Sequence, residues 1–262
     1  MKDPLILLSP SKGMSSEYQP VPSTARACMF PEITTEVAKA VQQLTSDEAR
    51  KLFKVSAALW PAVANLWSEN TRSFVDVSNG LQGLTAYNGE AFKFLNAAEL
   101  SVEGKANALR SLYVMSALYG VVSSTMYIAP YRLEMQSRLE VAAHKNIYSL
   151  WRPILTQWIN DLDVSFIIDA CSGEYSKAID WKNVKHPYVQ IDFKQMKNGQ
   201  IKSVSAFSKQ ARGAFVRWCL ENNIKEMESL TSFQEMGYRM HTFDDNKLVF
   251  LRDSQYGANT LV

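Results

Sequence analysis

The sequence predicts a single mixed α/β (α+β) domain over residues 1–262, and three observations predict it. Short apolar runs suited to buried strands occur in both halves of the chain, at Leu5–Ser9 and at Val164–Ala170. Segments with helical period are interleaved with them, helices dominating early and strands late. No stretch reads as a linker, a repeat or a low-complexity segment. One mixed sheet with surrounding helices is therefore expected, with residues 253–262 as a tail. The apolar fraction of 47% is ample for one packed core.

In chain order, Leu5–Ser9 is a short apolar run stopped by Pro10, which suits a buried strand. Residues 10–31 carry Pro10, Pro20, Pro22 and Pro31 with several Ser, and read as a long loop. Long loops in compact domains often carry function. Thr45-x-x-Glu48 is a capping box. After it Ala49, Leu52, Leu59, Val63 and Leu66 recur at helical spacing, and Pro61 is expected to kink or split the helix. Val102–Tyr119 reads as another helix, with Ala106, Leu109 and Tyr113 on one stripe and Gly120 ending it at C′.

Val164–Ala170 is apolar enough for a central strand. Tyr188–Phe193 and Gln200–Ser205 flank Lys197-Asn198-Gly199, the pattern of a hairpin. Ser208–Glu221 is amphipathic, with Ala211, Phe215, Trp218 and Cys219 inward. Tyr238–His241 and Lys247–Leu251 flank Asp244-Asp245-Asn246 and predict a last hairpin.

Composition narrows the function classes. The formal charge is only +2, so any nucleic-acid contact must come from a local cluster. Cys28, Cys171 and Cys219 form no CxxC, which argues against a disulfide framework or a zinc site and fits a reducing cytoplasm. His144, His186 and His241 have no ligand spacing, and neither metal nor cofactor is expected. The apolar run Leu5–Leu8 is too short for a signal peptide or a membrane span.

Four segments hold residues able to do chemistry. Ser9-Pro10-Ser11-Lys12-Gly13 follows the first strand, where Lys12 could hold an anion or act as a nucleophile, or could be a solvated turn residue. Ala129 to Met135 places Arg132 and Glu134 two apart, on one face of an extended segment. Asp169 to Lys177 brings Glu174, Tyr175 and Lys177 to a strand end; the set suits acid–base work, or only a capped turn with surface charges. Lys209 and Arg212 are neighbours in the first turns of the helix that ends at Glu221. Cations near a helix N-terminus are relieved by an anion such as phosphate.

Together these segments resemble the YaaA family of peroxide stress proteins. The shared motifs are Leu8-Ser9-Pro10-Ser11-Lys12, Leu118-Tyr119-Gly120-Val121, Pro130 to Met135, the Ala170 to Lys177 turn, Lys209 to Gly213, and Gly237-Tyr238 followed by Leu248 to Arg252. They cover nearly the whole chain. The resemblance implies one mixed α/β domain with a basic cleft. It also implies DNA binding through a helix-hairpin-helix element, placed here at Leu118–Val122, and a role in limiting oxidative damage under peroxide stress. Where the family carries Leu-Arg-Pro-Leu-Asp, this chain has Val122-Ser123-Ser124-Thr125-Met126, and Gln136 replaces a Gly.

Two functions are expected. The first is binding of duplex or branched DNA through phosphate contacts from Lys12, Gly120, Arg132, Lys177, Lys209, Arg212 and Arg252, with Glu134 at the same site. The alternative is an enzyme acting on a nucleotide, nucleoside or similar small anionic substrate. Its cleft would be built from Lys12, Arg132, Glu134, Glu174, Tyr175 and Lys177, with Lys12, Glu174 and Tyr175 catalytic.

Overall fold

The computed structural model describes residues 2–68 and 74–253. Except for Asp253, the expected tail lies outside them. Chain order is β1 (Leu5–Leu8), β2 (Gln19–Pro20), α1 (Pro31–Gln42), α2 (Ser46–Phe53), α3 (Trp60–Ser68), β3 (Asn79–Gln82), α4 (Glu90–Leu95), α5 (Val102–Ser111), β4 (Leu112–Ser116), β5 (Gly120–Ser123) and β6 (Tyr127–Ile128). There follow α6 (Ile147–Asn160), β7 (Ile167–Asp169), α7 (Gly173–Ser176), β8 (Tyr188–Lys197), β9 (Gln200–Lys202), α8 (Ser205–Glu221), β10 (Arg239–Asp244) and β11 (Lys247–Arg252).

The main sheet has the order β10-β11-β8-β7-β1-β4-β5, with β9 added on β8. Its middle is parallel, and its two edges are antiparallel hairpins. All four residues of β1 are buried, as a strand covered on both faces requires. A small antiparallel sheet, β2-β3-β6, lies apart from this path. From β1 the chain goes to β4 on one side and later returns to β7 on the other. The strand order therefore reverses between β1 and β7. In open α/β sheets, ligands bind beyond the carboxyl ends of the strands at such a switch point.

Several local expectations hold. The capping box is formed: the Glu48 N–H donates to Thr45 Oγ1 at 3.4 Å, and the Thr45 N–H donates to Glu48 Oε2 at 2.8 Å. The helical stretch is split as expected, α2 ending at Phe53 before a left-handed Lys54 and α3 starting at Trp60 with Pro61 in its first turn. Asn198 and Gly199 both have positive φ, as a two-residue hairpin turn demands, but β8 runs on to Lys197 and α8 begins already at Ser205.

The helix expected over Val102–Tyr119 stops at Ser111, and Leu112–Ser116 is a fully buried strand. Apolar runs of this length cannot be assigned by period alone. Gly120, at φ +71°, opens β5 at the tight β4–β5 hairpin rather than capping a helix. Both roles need positive φ, so glycine did not separate them. Leu118–Val122 is thus a buried β-hairpin and not a helix-hairpin-helix element. A Cβ on Gly120 would lie 2.7 Å from Trp151 Cζ3, so this residue faces the core and not a phosphate. The altered segment Val122–Met126 is also internal: Ser124, 2% exposed, donates from Oγ to the Leu112 carbonyl at 3.1 Å.

Gly213 explains one further motif residue. A Cβ there would sit 1.8 Å from the Ala91 carbonyl oxygen, so α8 lies directly against the backbone of α4. Gly213→Ala sets backbone against side chain, and one helix must shift. A loss of about 3 kcal/mol is expected in urea unfolding, at the upper end of overpacking costs. Wild-type stability in this variant would contradict the close contact.

Candidate functional site

A cavity of about 460 Å³ opens beyond the ends of β1 and β7. Two turns frame it. In the first, Ser11 Oγ accepts from the Gly89 N–H at 3.0 Å and donates to the Gly13 carbonyl at 2.6 Å. The second turn is tied to the first, because the Ser172 N–H donates to Ser9 Oγ at 2.8 Å. From inside, Asp169 holds the second turn. Its carboxylate accepts from the Cys171 N–H at 3.0 Å, Ser176 Oγ at 2.5 Å and Gln190 Nε2 at 3.3 Å. Burial pushes the Asp169 pKa up, and these donors pull it back.

Of the residues singled out in the sequence, Lys12, Arg132, Glu134, Glu174, Tyr175, Lys209 and Arg212 line this cavity. Three do not. Lys177 is exposed at the end of α7, and its carbonyl accepts from Arg152 Nη2 at 2.9 Å and Nε at 3.2 Å. Arg252 is buried; it donates to Gln195 Oε1 from Nη2 at 3.1 Å, and its guanidinium lies 3.9 Å from the centre of the Phe207 ring. Gly120 is buried in the β4–β5 hairpin. Sequence reasoning missed Gly89 and Gln136, which also line the cavity. Gly89 carried no signal, whereas Gln136 stood out as a departure from the family pattern.

The charges are unequal in their partners. Lys12 Nζ is 2.6 Å from Glu134 Oε1, and Gln136 Nε2 donates to Glu134 Oε2 at 3.2 Å. Burial raises the Glu134 pKa, but the Lys12 and Gln136 hydrogen bonds and the Lys12 and Arg132 charges outweigh it and hold it below its ordinary value. Glu174 goes the other way. Burial pushes it up, the Glu134 charge adds to this, and the Gln136 N–H at 3.2 Å only partly offsets them. Burial raises Tyr175 strongly, so it remains a phenol and a donor.

Arg212 is depressed by burial, and its Nε has no hydrogen-bond partner. The buried Arg132 Nε also lacks one. Arg212 Nη1 donates to the Ser208 carbonyl at 3.5 Å, so on both arginines it is the Nε donor that has no protein partner, a donor that suits an anion.

Fold and site together define a mixed α/β protein with a pocket lined by charged side chains at the switch point of its sheet. A family model described as "Peroxide stress protein YaaA" matches residues 5–243. The chain belongs to this family. It is 32% identical over 257 residues to a UPF0246 protein of Shewanella pealeana, covering 96% of this chain and 100% of the relative. A UPF0246 protein of Phenylobacterium zucineum is 33% identical over 240 residues, covering 90% of this chain and 89% of the relative. A Caulobacter vibrioides UPF0246 protein is 32% identical over 243 residues, covering 90% and 92%. No helix among the described residues is long and apolar enough to cross a membrane.

The electrostatics predict a pH dependence. Glu174, with its raised pKa, holds its proton to higher pH than an ordinary carboxyl group and loses it as pH rises further. The new charge repels an anion beside it. Affinity for sulfate, whose own charge is constant here, should therefore fall as pH rises through the Glu174 pKa. Glu134, held low, is already ionised in that window and adds no step. In Glu174→Gln the fall should vanish. Calorimetric titration with sulfate across this range checks it, and a pH-dependent fall unchanged in the variant would contradict it.

Proposed function

We propose that the protein is an enzyme performing proton transfer on a small anionic substrate, of the size of a nucleotide or similar molecule. The observation that carries this reading is one pocket holding two carboxylates with oppositely shifted pKa values beside two half-buried arginines whose Nε atoms have no protein partner. Titratable groups driven apart by their surroundings are how acid and base roles are divided. Arg132 and Arg212 anchor the anion, with Lys209 at the rim. Glu174 acts as general acid or base, and Tyr175 donates from its phenol. Lys12 neutralises Glu134 and orients it, and so serves as anchor rather than nucleophile. A cavity of about 460 Å³ has the volume of a small-molecule site. Membership in the peroxide stress family supports a role in limiting oxidative damage.

A second reading is binding of duplex or branched DNA through phosphate contacts. What favours it is that Lys12 and Lys209 are exposed at the mouth of the same cavity. In that case Lys209→Ala with Arg212→Ala should flatten the slope of log affinity against log salt by roughly two units, at about 0.9 per contact.

Glu174→Gln separates the two readings, because it keeps shape and removes charge. For the enzyme, ligand affinity persists and turnover falls by about 10²–10⁴-fold, the usual contribution of proton transfer. For a phosphate binder, DNA affinity at fixed salt is equal or higher. Conversion of candidate nucleotides followed by mass spectrometry, paired with DNA titration, gives both numbers. A folded variant that loses DNA binding and also retains full turnover of a converted nucleotide would contradict both.

A further inference from the structure

We infer that the ligand is a two-part molecule: an anionic head in the pocket between β1 and β7, and a nucleoside-like half in a second groove beyond Gln136. The inference rests on the anion reading above.

The second groove, of about 820 Å³, lies between the segment after Glu134 and the α1–α2 turn region. It shares Glu134 and Gln136 with the anion pocket, so the two spaces abut at these side chains. The partition between them is the pair itself: Gln136 Nε2 donates to Glu134 Oε2 at 3.2 Å. Gln136 is exposed. The same residue touches the reactive group, through its N–H on Glu174 Oε1 at 3.2 Å. A ligand lying across Gln136 therefore sits against both carboxylates.

Leu44, Leu52 and the buried Leu139 supply apolar wall and Gln43 and Ser137 neutral polar atoms, inside a rim of exposed charges that includes Lys51, Lys54 and Arg138. A nucleobase has apolar faces and hydrogen-bonding edges, and this lining suits both. Each space alone falls within the volume range of a small-molecule site, so together they exceed what a lone phosphate or carboxylate needs. An anion alone would leave the larger space unused.

Pyrophosphate and the nucleoside diphosphates share a head and differ by the nucleoside. They are titrated calorimetrically against the full chain: pyrophosphate, ADP, GDP, CDP and UDP. At least one diphosphate should bind about tenfold tighter than pyrophosphate, the surplus being the second half of the ligand. Leu52→Trp fills the groove and should erase that surplus while leaving pyrophosphate affinity unchanged. Lys51→Trp, at an exposed position on the same groove, should do likewise and does not depend on repacking a partly buried residue. The inference is overturned if no diphosphate exceeds pyrophosphate, or if the surplus survives in folded Lys51→Trp. Failure of pyrophosphate itself to bind overturns the anion reading, and the two-part ligand with it.

Discussion

Beyond β1 and β7, the chain must make two turns that face each other, and the bond from the Ser172 N–H to Ser9 Oγ at 2.8 Å ties them together. The rest of the site depends on that junction. It exists because β1 and β7 are adjacent parallel strands, so their carboxyl ends point the same way. One turn carries Lys12, the other carries Glu174 and Tyr175, and neither can drift without the other. Asp169 braces the second turn from within the core, where a carboxylate is tolerated only because it accepts several hydrogen bonds. On the far side, the contact of Gly213 with the Ala91 backbone sets how closely α8 brings Arg212 to the same space.

Electrostatics then divides labour among similar groups. Glu134 and Glu174 line one cavity, yet Lys12 satisfies one and burial raises the pKa of the other. The Lys12–Glu134 pair is more than half exposed at the lysine, so it adds little stability and serves to set charge. Arg252 is a contrast among the arginines. It is bonded to Gln195 and stacked on Phe207, so it stiffens the start of α8 and leaves anion binding to Arg132 and Arg212.

Much of this was legible in the sequence, because short motifs mark strand ends. Ser9 to Gly13 and Ala170 to Lys177 each follow an apolar run, and placing both runs in one sheet puts the motifs side by side. What the sequence could not separate was helix from strand at Leu112–Tyr119, where nearly every residue is apolar and buried on all sides. Gly120 made the ambiguity worse, since a helix end and a tight hairpin ask the same φ of it. Lys177 and Arg252 lie outside the cavity because placement depends on tertiary neighbours: Lys177 is exposed at the end of a short helical turn, and Arg252 finds an aromatic face. The second groove was invisible, as its walls come from α1, α2 and the segment after Glu134, which no local pattern relates.

The central claim is that Arg132 and Arg212 converge on one anion beside Glu174. A crystal structure of the protein grown with pyrophosphate tests it most directly. The account predicts phosphoryl oxygens within hydrogen-bond distance of both guanidiniums, their Nε atoms included, with Glu174 at the edge of the bound group. Pyrophosphate bound elsewhere, or held by exposed lysines with both Nε atoms still without a partner, would contradict it.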